Sequence, residues 1–504
     1  MTISSSQSPI GAPGARSLLG EATQPALVRA IEPLVAEHVR GGESGIVALR
    51  EGTDAFAARY LLAEAAERTL DVQYYIWHND VAGGLLFDAL RRAAARGVRV
   101  RLLLDDNNTV GMDAALASLN AQSGIEIRLF NPFRHRRWRL VDFATDFARL
   151  NRRMHNKSFT VDRQATIVGG RNVGDEYFGV RHEVMFVDLD VLAIGPVVGD
   201  VSNDFERYWS SESARPASEV LSALREWPGA KGHSTAGAGP DAAATGAYRR
   251  ALESSTVVRD LFAGTLCFEW AATTMLSDDP AKTVGRGRDE QLLFTKLKSL
   301  IGTPNGNLLL ISAYFVPGVE GTAYLAVLAT GNVHVAVLTN SLEATDVPVV
   351  HAGYAKRRRR LLEAGVELFE LKRGAAAPSA AKFRVGAVGG SMGSSGSSLH
   401  AKTFAVDNRR VFVGSFNFDP RSARLNTELG FLIESPALAS ELAKAFAERI
   451  PGRAYRVTLG ERKHLNWLDL QDGKTVVQTT EPGGSRWKRL MVALLGLAPI
   501  EWLL

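Results

Sequence analysis

Apolar and polar positions along this chain follow two periods, one helical and one of strands, and the order in which they alternate occurs twice. A helix is predicted over Asp54–Arg68, followed by a strand over Leu70–Trp77. A second helix is predicted over Gly84–Arg96. After the stop signal at Gly97, the β-branched and apolar run Val98–Leu104 (VRVRLLL) predicts another strand. The same order returns as helix Asp289–Ile301, strand Leu308–Phe315, helix Thr322–Ala329 and strand Val333–Leu338. Strands alternating with helices build mixed sheets covered on both faces, so the expected fold is α/β, with two similar α/β/α sandwich lobes.

Length and composition refine that picture. A chain of 504 residues exceeds one ordinary core and suits two domains. The Ala- and Gly-rich stretch 227–247 reads as the linker between a first domain at 28–226 and a second at 248–455. A disordered tail is expected over 1–27 and a C-terminal extension over 456–504. A second Gly- and Ser-rich segment, Gly389–Ser398, predicts a mobile loop. With 46% hydrophobic and 22% charged residues, neither wholesale disorder nor a polytopic membrane protein fits.

The net charge of +5 is mild and specifies no partner. Its distribution says more: basic clusters at 134–139 (RHRRWR), 357–360 (RRRR) and 486–489 (RWKR) suit either phosphates of lipid or nucleic acid, or a solvated face. A single cysteine, Cys267, forbids an intrachain disulfide and reads as a small buried apolar residue. Residues Met1–Ser17 lack the apolar core of a signal peptide. No window reaches the roughly 18 to 20 apolar residues that span a bilayer. The closest approach is 486–504 (RWKRLMVALLGLAPIEWLL), which predicts either an interfacial membrane segment or a helix packed on the second lobe.

The chemistry lies in a repeated pattern, His-x-Lys-x-x-x-x-Asp, at His155, Lys157, Asp162 and again at His400, Lys402, Asp407. Residues two apart on a strand point the same way, so each histidine shares a side with its lysine. An imidazole can attack a phosphodiester phosphorus while an ammonium beside it holds the non-bridging oxygens. Two such pairs complete a site in which one histidine becomes phosphorylated and the other moves the proton. Each copy continues into a strand and a Gly-containing turn, TIVGGRN at 166–172 and VFVGSFN at 411–417, so the repeat relates whole domains.

In these motifs the chain resembles the phospholipase D superfamily, whose duplicated members pair two copies across a pseudo-twofold axis. The resemblance implies His155 and His400 as nucleophile and general acid, and Lys157 and Lys402 as phosphoryl ligands. It implies Asn172 and Asn417 as phosphate contacts, and the downstream carboxylates Asp188 and Glu428 as orienting groups for the histidines. The motif aspartates Asp162 and Asp407 belong to the catalytic pattern but look structural or electrostatic. No metal and no cofactor is implied, and the lone His351 reads as a pocket or core residue.

Longer phrases, among them MHNKSFTVD, DVPVVHAGY and VGSFNFDPRSARLNTELG, are similar to bacterial cardiolipin synthases of the C type. This implies phosphatidyl transfer to phosphatidylglycerol through a phosphohistidine, with phosphatidylethanolamine as a possible donor. It also implies a peripheral place on the anionic, cytoplasmic face of the inner membrane. Hydrolysis by a phospholipase, cleavage by a nuclease and an idle membrane scaffold are the alternatives. Nucleases of this kind usually carry one motif per chain, so nucleic acid is not an expected partner.

Overall fold

The computed structural model describes residues 24–179, 186–222, 242–373, 398–471, 473–497 and 501. In the first half the strands are β1 (Glu43–Leu49), β2 (Thr69–Tyr74), β3 (Arg99–Asp105), β4 (Ile125–Phe130), β5 (Ser158–Val161), β6 (Ala165–Gly169), β7 (Phe186–Val187), β8 (Asp190–Ile194) and β9 (Ala214–Pro216). In the second they are β10 (Glu269–Ser277), β11 (Asn307–Ser312), β12 (His334–Asn340), β13 (Glu367–Leu371), β14 (Ser398–Leu399), β15 (Lys402–Val406), β16 (Arg410–Gly414), β17 (Leu429–Glu434), β18 (Ala454–Leu459), β19 (Leu465–Gln471) and β20 (Lys474–Gln478).

Across the first half the spatial order is β9-β4-β3-β2-β5-β6-β8-β1, with β2, β3 and β4 parallel and the rest antiparallel. The second half repeats it as β10-β17-β16-β15-β11-β12-β13-β18, again with one parallel trio, β11, β12 and β13. The antiparallel pairing of β1 with β10 joins both halves into one sheet of 18 strands. In the second trio β11 and β12 carry apolar runs (LLLI and VAVL), as strands covered on both faces favour, whereas β2 (TLDVQY) and β4 (IEIRLF) alternate with polar residues.

One face of each half carries its own core. Helices Gly52–Ala65 and Val81–Ala95 bury Phe56, Leu62, Leu86 and Leu90 on the first half. Helices Leu293–Ile301 and Gly318–Thr330 bury Leu293, Leu297 and Leu325 on the second. The other core is shared, since Val168, Val191 and Val197 of the first half pack in one cluster with Leu309, Val413 and Phe431 of the second. The expected α/β class and element order are therefore present. Helix Val81–Ala95 begins earlier than the apolar pattern suggests because Asp80 caps it, accepting from the Gly83 N–H.

Other expectations need correction. Residues 242–247, read as the end of a linker, open the helix Ala242–Ser254; alanine favours helix most strongly, and grouping it with glycine hid that. Cys267 is exposed in the connection before β10 and is not a core residue. Residues 1–23 of the expected tail, the loop 389–397 and residues 227–241 of the linker lie outside the described residues, whereas Leu27 is buried in helix Ala26–Ala36.

Part of each of the first two basic clusters is spent on ion pairs within the molecule, while Arg134, Arg359 and Arg360 stay exposed. Arg136 pairs with Asp106 and Asp113, Arg358 with Glu370 and Glu481, and Arg357 with Glu501. His351 is buried, with Nε2 2.7 Å from a Glu481 oxygen.

Candidate active site

Each motif forms the same hairpin, β5–β6 and β15–β16, closed by a turn with two left-handed residues, Asp162 and Arg163 in one and Asp407 and Asn408 in the other. Asp and Asn tolerate that conformation better than most side chains. The Asp162 carboxylate accepts from the backbone N–H groups of Glu67, Arg68 and Thr69 at 2.8–3.0 Å. Asp407 does the same with Asn305, Gly306 and Asn307. These two aspartates fasten the hairpin to the start of the central strand, β2 or β11. Five residue steps of extended chain, about 16 Å, separate them from the motif lysines. Both carboxylates of the motif pattern, Asp162 and Asp407, are engaged in this anchoring.

The histidines stand at the other end of the hairpins, and short parallel bridges between the halves set them. Met154 bridges Thr427, with the His155 N–H donating to the Thr427 carbonyl at 2.9 Å. The next residues along, His155 and Glu428, then meet: Nδ1 lies 2.8 Å from a Glu428 oxygen. Likewise β7 pairs with β14, bringing Val187 beside Leu399, and the next residues meet with His400 Nδ1 2.6 Å from an Asp188 oxygen. The orienting carboxylates thus act crosswise, each on the histidine of the other half. The carboxylates hold the rings through Nδ1, so a phosphorus or a leaving oxygen would meet them at Nε2.

Lys157 and Lys402 are buried, at 1% and 2% exposure, and their ammonium groups donate to the carbonyls of His155 and His400. Burial pushes Lys157 down to about 7, although the Glu428 carboxylate opposes the shift. Lys402 is lowered for the same reason, against the pull of Asp188. Burial and then the charges of Lys157 and Lys402 hold His155 well below the usual imidazole range; burial and Lys402 lower His400 to about 4. Burial and the neighbouring ammonium groups thus disfavour the charged form of both rings in the site without substrate. A bound phosphate anion acts in the opposite direction and favours the imidazolium.

The carboxylates differ. Burial raises Glu428 to about 7, with Lys157 pulling the other way. Burial would raise Asp188 too, but His400 and Lys402 outweigh it and hold the group at about 2. Small neighbours differ with them. Ser415 donates its hydroxyl to Glu428, whereas the corresponding residue in the other half is Gly170, where a Cβ would lie 2.2 Å from an Asp188 oxygen. Asn172 and Asn417 sit on the turns after β6 and β16, each carbonyl accepting from the backbone that follows the central strand, at Ile76 and Tyr314. This holds both amides at the carboxyl ends of the central strands.

Aromatic rings line the site, and the motif reading missed them. Tyr75 meets His155 edge-on with centroids 4.9 Å apart, and Tyr177 meets His400 at 5.1 Å. Tyr314 donates to Asp346 at 2.9 Å. Tyr75 and Tyr314 follow the carboxyl ends of β2 and β11, the edge where open α/β sheets place their ligands, which is a signal the sequence did offer. The whole arrangement can bind a phosphodiester between two ammonium groups, attack it with one imidazole and move a proton with the other.

A family model described as "Cardiolipin synthase, PLD-like domain" matches residues 61–209 and 297–450. The chain is 50% identical over 480 residues to cardiolipin synthase C of Escherichia coli K12, covering 95% of this chain and 100% of that one. A cardiolipin synthase of Staphylococcus aureus Mu50 is 25% identical over 407 residues, 80% of this chain and 66% of the relative. Among solved structures, a phosphatidylserine synthase of Haemophilus influenzae Rd KW20 superposes with a TM-score of 0.53 at 14% identity, covering 85% of this chain and 91% of that one, a likeness of fold.

Proposed function

We propose, from the premise that this chain belongs to the phospholipase-D-like cardiolipin synthase family, that it is a phosphatidyltransferase making cardiolipin with phosphatidylglycerol as acceptor. The observation that carries the mechanism is the pair of crossed histidine–carboxylate contacts beside two buried lysines. His155 is the nucleophile: its Nε2 forms a bond to the phosphorus of the donor lipid as the bond to the leaving alcohol's oxygen breaks. His400 gives its Nε2 proton to that oxygen. It then takes the proton from a glycerol hydroxyl of phosphatidylglycerol, whose oxygen displaces His155 and releases cardiolipin.

The unlike carboxylates support this assignment. Burial raises Glu428 while Asp188 is held low, so Asp188 is the carboxylate better suited to stabilise the imidazolium that a proton carrier must become. Lys157 and Lys402 hold the non-bridging oxygens while charge builds, and Asn172 and Asn417 add amide contacts to them.

The enzyme works at the membrane surface. Among the described residues no helix is long and apolar enough to cross a membrane. Helix Arg486–Leu497 packs Val492 against Leu342 and Ala352 and turns Trp487, Leu490, Met491 and Leu494 outward. Positions spaced three and four apart form one stripe, so this helix both packs on the second lobe and offers an apolar face to lipid on the cytoplasmic side.

The deciding experiment incubates purified protein with mixed vesicles of phosphatidylglycerol and phosphatidylethanolamine and separates the products by thin-layer chromatography. Cardiolipin is the expected product, and the donor is read from the released alcohol. Phosphatidic acid alone would make the enzyme a hydrolase, and no turnover would end the reading.

A further inference from the structure

The two halves place the same ring in different surroundings. Phe56 and Phe294 occupy corresponding positions, each thirteen residues before the strand residue, Thr69 or Asn307, whose N–H the motif aspartate holds. Phe56 is fully buried, with Phe178 at 5.5 Å and Tyr248 at 4.3 Å between ring centroids. Tyr248 comes from helix Ala242–Ser254, which packs over helix Gly52–Ala65. In the second half no helix among the described residues packs over Leu293–Ile301 in that way. Phe294 stays 38% exposed and stacks at 5.8 Å on Phe416.

What the missing cover leaves is a groove of about 960 Å³ between helices Leu293–Ile301 and Gly318–Thr330, floored by Leu308 and Leu310 of β11 and Phe404 of β15. That volume is at the upper end of the roughly 300–1,000 Å³ of ligand pockets. Two features tie it to lipid. Phe416 and Phe418 form its wall, and the residue between them is Asn417, on the catalytic side of the same turn. Glu501, just beyond the helix with the outward apolar stripe, also lines it, and its rim carries charges of both signs, Lys298 and Arg424 beside Asp289 and Glu320.

We propose that this groove receives one acyl chain of a phospholipid substrate, steering its phosphate to the lysines across the Phe416–Phe418 turn; the proposal rests on the phosphatidyltransferase reading. A hydrocarbon chain gains from every methylene it removes from water, and an aromatic wall recognises chain length without reading the headgroup.

The test compares the intact enzyme with Phe294→Glu and Phe294→Leu, using long-chain and short-chain phosphatidylglycerol. For the long-chain lipid, Phe294→Glu should raise KM about tenfold with kcat little changed, and Phe294→Leu should restore most of it. For the short-chain lipid both variants should stay within about twofold. Equal losses on both lipids, with an unaltered melting temperature, would overturn the proposal.

A readout independent of turnover uses His155→Ala protein in micelles of phosphatidylglycerol carrying a photoactivatable group at the end of one chain. Crosslinks should fall on 293–301, 316–324 and 416–418. Their absence there overturns the groove even if transfer is intact, whereas crosslinks there in a wild-type enzyme that makes no cardiolipin would remove only the reaction assignment. A concentration-dependent dimer abolished by Phe294→Glu would show instead that the groove is covered by a second copy, and would also overturn it.

Discussion

Single residues carry the sharpest expectations. His155→Ala and His400→Ala should each leave less than about a hundredth of the transfer rate, since one removes the nucleophile and the other the proton carrier. Retention of more by either, in the thin-layer assay, would refute the paired mechanism. Gly170→Ala tests positioning, because its Cβ would drive Asp188 away from His400. A displacement of that size should lower kcat by tens-fold to about a hundredfold, while the fold melts near the wild-type temperature.

The pH profile tests the buried charges. As pH rises through about 7, Lys157 gives up its proton and with it its hold on the phosphate, so kcat/KM should fall on the alkaline side. Glu428 pulls that value upward; Glu428→Gln should therefore move the alkaline limb to lower pH, besides lowering kcat. An alkaline limb that stays in place would disconnect Lys157 from substrate binding. Much at this scale was legible, because each motif packs its chemistry into eight consecutive residues. The crossed pairing was not. Asp188 and Glu428 find their histidines through backbone bridges between distant segments, for which no local spacing exists.

Elements were legible where period and breaker residues agreed, as in β3, whose apolar run follows Gly97, and less so where composition misled. The alanines at 242–244 looked like linker and proved to be helix, with Ala244 buried on the first core. The C-terminal helix was ambiguous for a physical reason: a stripe that packs and a stripe that faces lipid are written in the same residues, and only the partner helix Pro348–Ala355 separates them. Replacing Trp487, Leu490 and Leu494 together by serine should weaken binding to anionic liposomes about tenfold without lowering the melting temperature, since these side chains touch little in the free protein. Salt should change that binding only modestly, as Lys488 and Arg489, though still charged, turn their head groups inward to the carbonyls of Leu342 and Glu481. Sedimentation with vesicles at two ionic strengths decides both points; steep salt dependence would return the attachment to the basic cluster.

For the whole molecule, two lobes suggest two folding units, but the core shared between Val168, Val191, Leu309 and Phe431 and the β1–β10 junction argue for one. Calorimetry should show a single cooperative transition, and two well-resolved transitions would contradict it. The exchange of carboxylates takes this further. Neither half owns a finished catalytic unit: His155 waits on a glutamate 273 residues away and His400 on an aspartate 212 residues back. Cut between its halves, the protein should give two inert fragments that regain turnover only by reassembling. Duplication usually frees one copy to drift toward a new task. Here each copy is hostage to the other, and a lesion in either silences both.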